Sequence, residues 1–124
     1  MLCLQIRRGL ELHAGDEEWA REKAAQVVQF SATELAPHFK VEEEVLFPAM
    51  SRLDDIGELL KDLVSQHRTL ERLVEQLGSS GVTRKAGALG EFAHLLEAHI
   101  RKEERELFPL YEEHAGPELQ AAVE

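Results

Sequence analysis

Cysteine is all but absent from these 124 residues: the one thiol, Cys3, cannot close an intrachain disulfide. That fits a reducing cytoplasm and leaves the apolar core to hold the fold. Basic residues are also scarce. Fourteen Lys and Arg face 24 Asp and Glu, a formal charge of −10, which opposes binding to nucleic-acid phosphates or anionic lipid. Neither nucleic acid nor membrane is therefore an expected partner. No apolar run approaches the roughly 18 residues of a membrane span. Arg7 and Arg8 interrupt the N-terminus where an export signal would continue its apolar segment, so no secretory peptide is read. Alternation of apolar and polar residues between turn formers is missing as well, which argues against strands.

What is present is apolar spacing at i, i+3 and i+4 through most of the chain, the pattern of an all-α protein. Breakers at Gly15-Asp16, around Ser51 to Asp55, at Gly78-Ser79-Ser80-Gly81 and at Gly116-Pro117 divide it into four helical segments and a tail. The expected helices cover about residues 2–13, 16–50, 54–77 and 83–114. Joined by short loops, they make an antiparallel up-down four-helix bundle with a short first helix, a single domain over residues 1–124. Asp16 before Glu17 and Glu18, and Asp54 before Asp55, read as N-caps with acidic first turns. Pro37, Pro48 and Pro109 each predict a kink or a helix boundary.

The histidines carry the chemistry. His38 shares an expected stripe with Leu35, Val41, Glu42 and Val45; His67 shares one with Leu63, Val64, Leu70, Glu71 and Val74; His99 shares one with Leu95, Leu96, Glu103 and Leu107. Each stripe thus carries His-x-x-x-Glu on a face that reads as buried. A buried carboxylate is costly without a cation, and no Lys or Arg in these stripes is placed to supply one. A metal ion would. At i, i+4 spacing an imidazole and a carboxylate emerge one turn apart on one face, so His38, Glu42, His67, His99 and Glu103 are the candidate ligands.

Residues level with one another in an antiparallel hairpin lie equally far from its turn. His38 and His67 average to 52.5, within the Ser51 to Asp55 turn, and His67 and His99 average to 83, beside the Gly78 to Gly81 break. Three helices thus bring a histidine to one level. His13 fails this test, because its turn at Gly15-Asp16 leaves it about 20 residues, or about 30 Å, along the second helix from His38. The residue of the first helix level with His38 would precede Met1.

A repeat at an offset of 61 sets His38, Glu42-Glu43 and Leu46-Phe47-Pro48 against His99, Glu103-Glu104 and Leu107-Phe108-Pro109, with six of eleven positions identical. With Gln66-His67-Arg68 between them, these segments resemble the hemerythrin-like family, the HHE cation-binding domain. The resemblance spans nearly the whole chain. It implies a four-helix bundle holding two iron ions, with Glu42 and Glu103 as bridges, His38 on one metal, and His67 and His99 on the other. Two features depart from the family pattern: a first-helix His is missing, and the third helix carries His67-x-x-x-Glu71 where oxygen carriers have His-x-x-x-His. A carboxylate at that position would favour ferric iron and argues against reversible oxygen carriage. Ferritin-like di-iron proteins use Glu-x-x-His, the reverse order at a different spacing.

The function implied is a non-haem di-iron protein that senses or handles oxygen, nitric oxide or iron. One ion instead of two, or zinc, nickel or manganese in place of iron, suits the same donors. Peroxidase-like or ferroxidase chemistry and a helical dimerisation module with a vestigial site are the rival readings, the second because a short first helix leaves apolar surface for a homodimer. Glu71 is balanced between ligand and surface. Glu43, Glu44, Glu104 and Glu106 read as a solvated face, with a supporting role behind the ligands as the alternative, His94 and His114 as surface residues, Cys3 as a small core residue, and Trp19 as an interface residue.

Overall fold

The computed structural model describes residues 2–53, 55–79 and 82–114, of which 82–84 and 114 are described by backbone alone. These residues form four helices and no strand: α1 (Leu2–Leu12), α2 (residues 17–50), α3 (Gly57–Ser79) and α4 (residues 82–114). α3 packs on α4, α1 packs on α4, and the segment Glu17–Phe30 of α2 packs on both α3 and α4. The expected all-α bundle is the one observed. No helix among the described residues is long and apolar enough to cross a membrane.

The α1–α2 turn follows its sequence. Gly15 takes φ of 82°, and Asp16 caps α2 by accepting the Trp19 N–H at 3.0 Å, with Glu17 and Glu18 in the first turn. The start of α3 does not. It begins at Gly57, not at the expected Asp54, which lies outside the described residues. Asp55 adopts φ of 61°, a left-handed conformation that short polar side chains tolerate. Ile56 is buried and its carbonyl accepts the Leu60 N–H at 3.0 Å, so burial of an apolar side chain sets this helix start. α3 also runs through Gly78 to Ser79; Ser80 and Gly81 of that break, the Gly116-Pro117 break and the His114 side chain lie outside the described residues.

None of the three prolines ends a helix. Each is the second residue after a π-turn: Ser31–Leu35 before Pro37, Glu42–Leu46 before Pro48, and Glu103–Leu107 before Pro109. In every case the residue before the proline donates its N–H five residues back, Ala36 to Ser31, Phe47 to Glu42 and Phe108 to Glu103. Widening the turn makes room for a ring that would otherwise press on the carbonyl four residues earlier. A π-turn also adds a residue to the turn, so the phase of α2 differs from the expected stripe. Leu35, Phe39, Glu42 and Leu46 are buried; His38 and Val41 are not.

The core falls into two apolar clusters. The larger, with Phe39, Leu70, Phe92 and Leu96, fills the end of the bundle where α1 lies; the smaller, with Leu46, Met50, Leu63 and Leu107, fills the end at the α2–α3 turn. Between them lie the buried polar residues Glu42, His67, His99 and Glu103. Along α3 the order Leu63, His67, Leu70 passes from one cluster through the polar layer into the other, and Leu96, His99, Glu103, Leu107 does so along α4.

α1 is fastened by Ile6 and Cys3 in the larger cluster and by the Trp19 ring lying against Gly9. A Cβ at Gly9 would come within 1.9 Å of that ring. Gly9→Ala should therefore force α1 and Trp19 apart and cost about 1–3 kcal/mol, the usual range for overpacking. Chemical denaturation monitored by Trp19 fluorescence measures this, and an unchanged midpoint would show that α1 is not held there.

Candidate metal centre

Glu42 and Glu103 are each the first residue of a π-turn, one on α2 and one on α4, and both carboxylates are carried into the polar layer. There they meet His67 and His99, whose ring centroids are 4.8 Å apart. Glu42 Oε1 lies 3.2 Å from His67 Nε2 and 3.5 Å from His38 Nε2, while Glu103 Oε1 lies 2.9 Å from His99 Nε2. Two sets of three donors each gather within 4.8 Å of one another: Glu42 with His67 and His99, and His38 with Glu42 and Glu103. Glu42 belongs to both.

The outer edges of the rings are tied down. His67 Nδ1 donates to Glu43 Oε2 at 2.8 Å and His99 Nδ1 donates to Gln66 Oε1 at 2.7 Å. With the proton on Nδ1, each Nε2 presents a lone pair inward. The His67 ring is further held between Phe39, stacked at 3.8 Å, and Phe47 at 5.9 Å. Four inward atoms, Glu42 Oε1, His67 Nε2, His99 Nε2 and Glu103 Oε2, have no hydrogen-bond partner, although the pairs approach closely. Leaving one buried polar atom unsatisfied costs about 1–3 kcal/mol, and among the described residues no Lys or Arg pairs with Glu42 or Glu103. Convergent imidazole and carboxylate donors of this kind fit a cation such as iron.

The sequence-based expectations need three corrections. His38 was expected to face the core beside Glu42, but its side chain is 59% exposed; Phe39 takes the buried place, so His38 reaches Glu42 from the solvent side. Glu71 lies at the surface, bonded to Arg68, and of the three His-x-x-x-Glu pairs expected to be buried only His99 and Glu103 are buried at both ends. Glu43 is no mere solvated carboxylate, since it holds His67. The doubled Glu42-Glu43 of the repeat hinted at it, but spacing gave no reason to prefer it over Glu44. Gln66 was likewise missed as a partner of His99, its place in Gln66-His67-Arg68 being its only mark. His13 stands apart, stacked on Trp19 at 5.3 Å and 3.7 Å from Asp16 at the α1–α2 turn. His94 is exposed. Cys3 is buried, which pushes its thiol pKa up, as suits a core residue.

Charge is unevenly shared in the metal-free layer. Burial, and then the hydrogen bond and charge of Glu42, push Glu103 up to about 9. Burial opposes ionisation of Glu42 too, but its contacts to His38, His67 and Glu103 outweigh that and hold it well below the usual carboxylate range. His38 is raised by its hydrogen bond to Glu42. Burial, with His67 alongside, lowers His99 to about 4. At neutral pH the two carboxyl groups therefore hold one proton between them, and His99 is neutral.

The signs of these shifts set a pH dependence. The raised Glu103 contributes stability that is full below its ordinary 4.5 and is lost as pH rises through about 9. The lowered His99 contributes stability that is full above 6.5 and is lost as pH falls through about 4. Thermal melts of the metal-free protein should thus fall in midpoint between pH 6 and 9, and Glu103→Gln, neutral throughout, should flatten that decline. An identical slope in both proteins would contradict the shared proton.

No curated protein and no solved structure gives a significant match to this chain. The family described as Hemerythrin HHE cation binding domain, however, matches residues 1–111. With an all-α bundle, a buried layer of His and Glu donors and that match over most of its length, the chain belongs to the hemerythrin HHE cation-binding family.

Proposed function

We propose that this chain is a non-haem iron protein that holds metal through His38, Glu42, His67, His99 and Glu103 and that serves to sense or handle oxygen, nitric oxide or iron. The observation that carries the metal reading is the convergence of four unsatisfied buried acceptors with no Lys or Arg paired to the two carboxylates among the described residues. Glu42, His67 and His99 would hold an inner ion, and His38, Glu42 and Glu103 an outer one. Glu42 would serve both. Bound iron would supply a reversible change of oxidation state and coordination positions open to a diatomic ligand.

The chain's own residues divide the work. Phe39 and Phe47 keep His67 in a fixed plane and shield it from water, which favours one well-defined inner donor set. His38 is exposed beside the buried Glu42, so the outer donor set lies nearest to solvent. Deprotonation of Glu103 is the step that the outer group requires, and uptake of a cation there would expel that proton.

Elemental analysis and an optical spectrum on protein purified from iron-replete cells provide the test. One to two irons per chain are expected, with His99→Ala reducing the content by at least half while the helical circular dichroism persists. Zinc or manganese in place of iron would keep the site and replace the oxygen and nitric oxide reading. Metal-free protein that takes up no ion on titration would overturn the proposal.

A further inference from the structure

Two residues of the motif segments, Glu43 and Gln66, lie outside the donor sets yet are bound to them, and Arg68 is bound to Glu43. Glu43 Oε2 accepts the Nδ1–H of His67 at 2.8 Å, and its other oxygen accepts from Arg68, whose guanidinium also bonds Glu71. Gln66 Oε1 accepts the Nδ1–H of His99 at 2.7 Å. The two buried imidazoles are thus oriented by unlike partners, one a carboxylate anchored to a surface arginine, the other a neutral amide.

We infer that Glu43 and Gln66 are positioning residues that set the two inner imidazoles to different donor strengths, and that the Glu71–Arg68–Glu43 chain couples the protein surface to His67. This assignment rests on the metal reading above. An ionised acceptor on Nδ1–H draws the proton toward itself and makes the opposite Nε2 a stronger donor, which a neutral amide does far less. His67 is then the dominant imidazole toward a cation and His99 the weaker. Arg68 fixes the rotamer of Glu43, because its contacts to Glu43 and Glu71 are made by one rigid guanidinium. The reach of this device is long: Arg68 and Glu71 are half exposed, while His67 is fully buried.

The test uses cobalt(II) as probe, titrated into metal-free full-length chain and followed by its visible absorption. Glu43→Gln preserves size and an acceptor oxygen but removes the charge, and should weaken cobalt binding about ten-fold or more. Gln66→Glu should act in the opposite sense. Glu44→Gln removes the same charge one residue away, from an exposed side chain outside the donor sets, and should bind as the parent does. Metal-free protein gives a second readout. Long-range proton–nitrogen spectra of the imidazoles should show His67 and His99 as Nδ1–H tautomers in the parent, with His67 alone losing that form in Glu43→Leu. Equal cobalt affinity in Glu43→Gln and Glu44→Gln, or an unchanged His67 tautomer in Glu43→Leu, overturns the assignment and leaves the metal reading intact. A parent chain that binds no cobalt while its tautomers are as stated overturns the metal reading and leaves Glu43 and Gln66 as the residues that orient the rings.

Discussion

The fold turns on a layer of acceptors buried with too few donors. Two carboxylates and two imidazoles from three helices are removed from water between two apolar clusters, and without an ion a single shared proton, the approach of His38 and His67 to Glu42 and the outer hydrogen bonds of the rings are what offset their desolvation. Each neighbouring feature answers that condition. The rings are clamped by Phe39 and Phe47, their outer nitrogens are satisfied by Glu43 and Gln66, and the apolar clusters on either side fix the level at which the helices cross. Partly satisfied buried polar networks are ordinarily worse than an apolar core, so this layer lowers the stability of the metal-free fold.

Much of this was legible in the sequence, because its information lies in spacing. Apolar periodicity gave the helices, and the distances of His38, His67 and His99 from their turns placed them on one level even though the turns themselves shift by a few residues. The pairing of His67 with His99 follows from that counting alone. Less legible was rotation about the helix axis. A stripe drawn at 3.6 residues per turn put His38 and Val41 inside along with Glu42, whereas the π-turns change the phase and place Phe39 there beside Glu42. The start of α3 was misplaced for a related reason: Asp54-Asp55 has the local chemistry of a cap, but burial of Ile56 decides where the turn ends.

Contacts between helices were the least accessible. The spacing from His38 marked Glu42 as the carboxylate that enters the layer, but nothing in the run Glu42-Glu43-Glu44 distinguishes the one that braces His67 from the one that faces water. Those three fates depend on about 100° of rotation per residue and on which neighbour lies opposite, information that one chain segment does not contain. The same holds for Glu71, whose i+4 relation to His67 was sound as spacing and uninformative about depth.

A π-turn is an α-helix carrying one residue more than the regular ladder needs, so each of the three absorbs that residue locally and hands the chain on in nearly the same phase. Loss of one residue between Glu42 and Leu46 would therefore restore regular winding with Leu46, Phe47 and Met50 still at the α2–α3 end of the core, whereas loss of one residue from the regular winding of α3 would turn everything downstream by about 100°. Glu103–Leu107 stands in the same relation to the last turns of α4. The wide turns are thus the places in α2 and α4 where the frame of later side chains tolerates a change of one residue, but the room that Pro48 and Pro109 need would go with it.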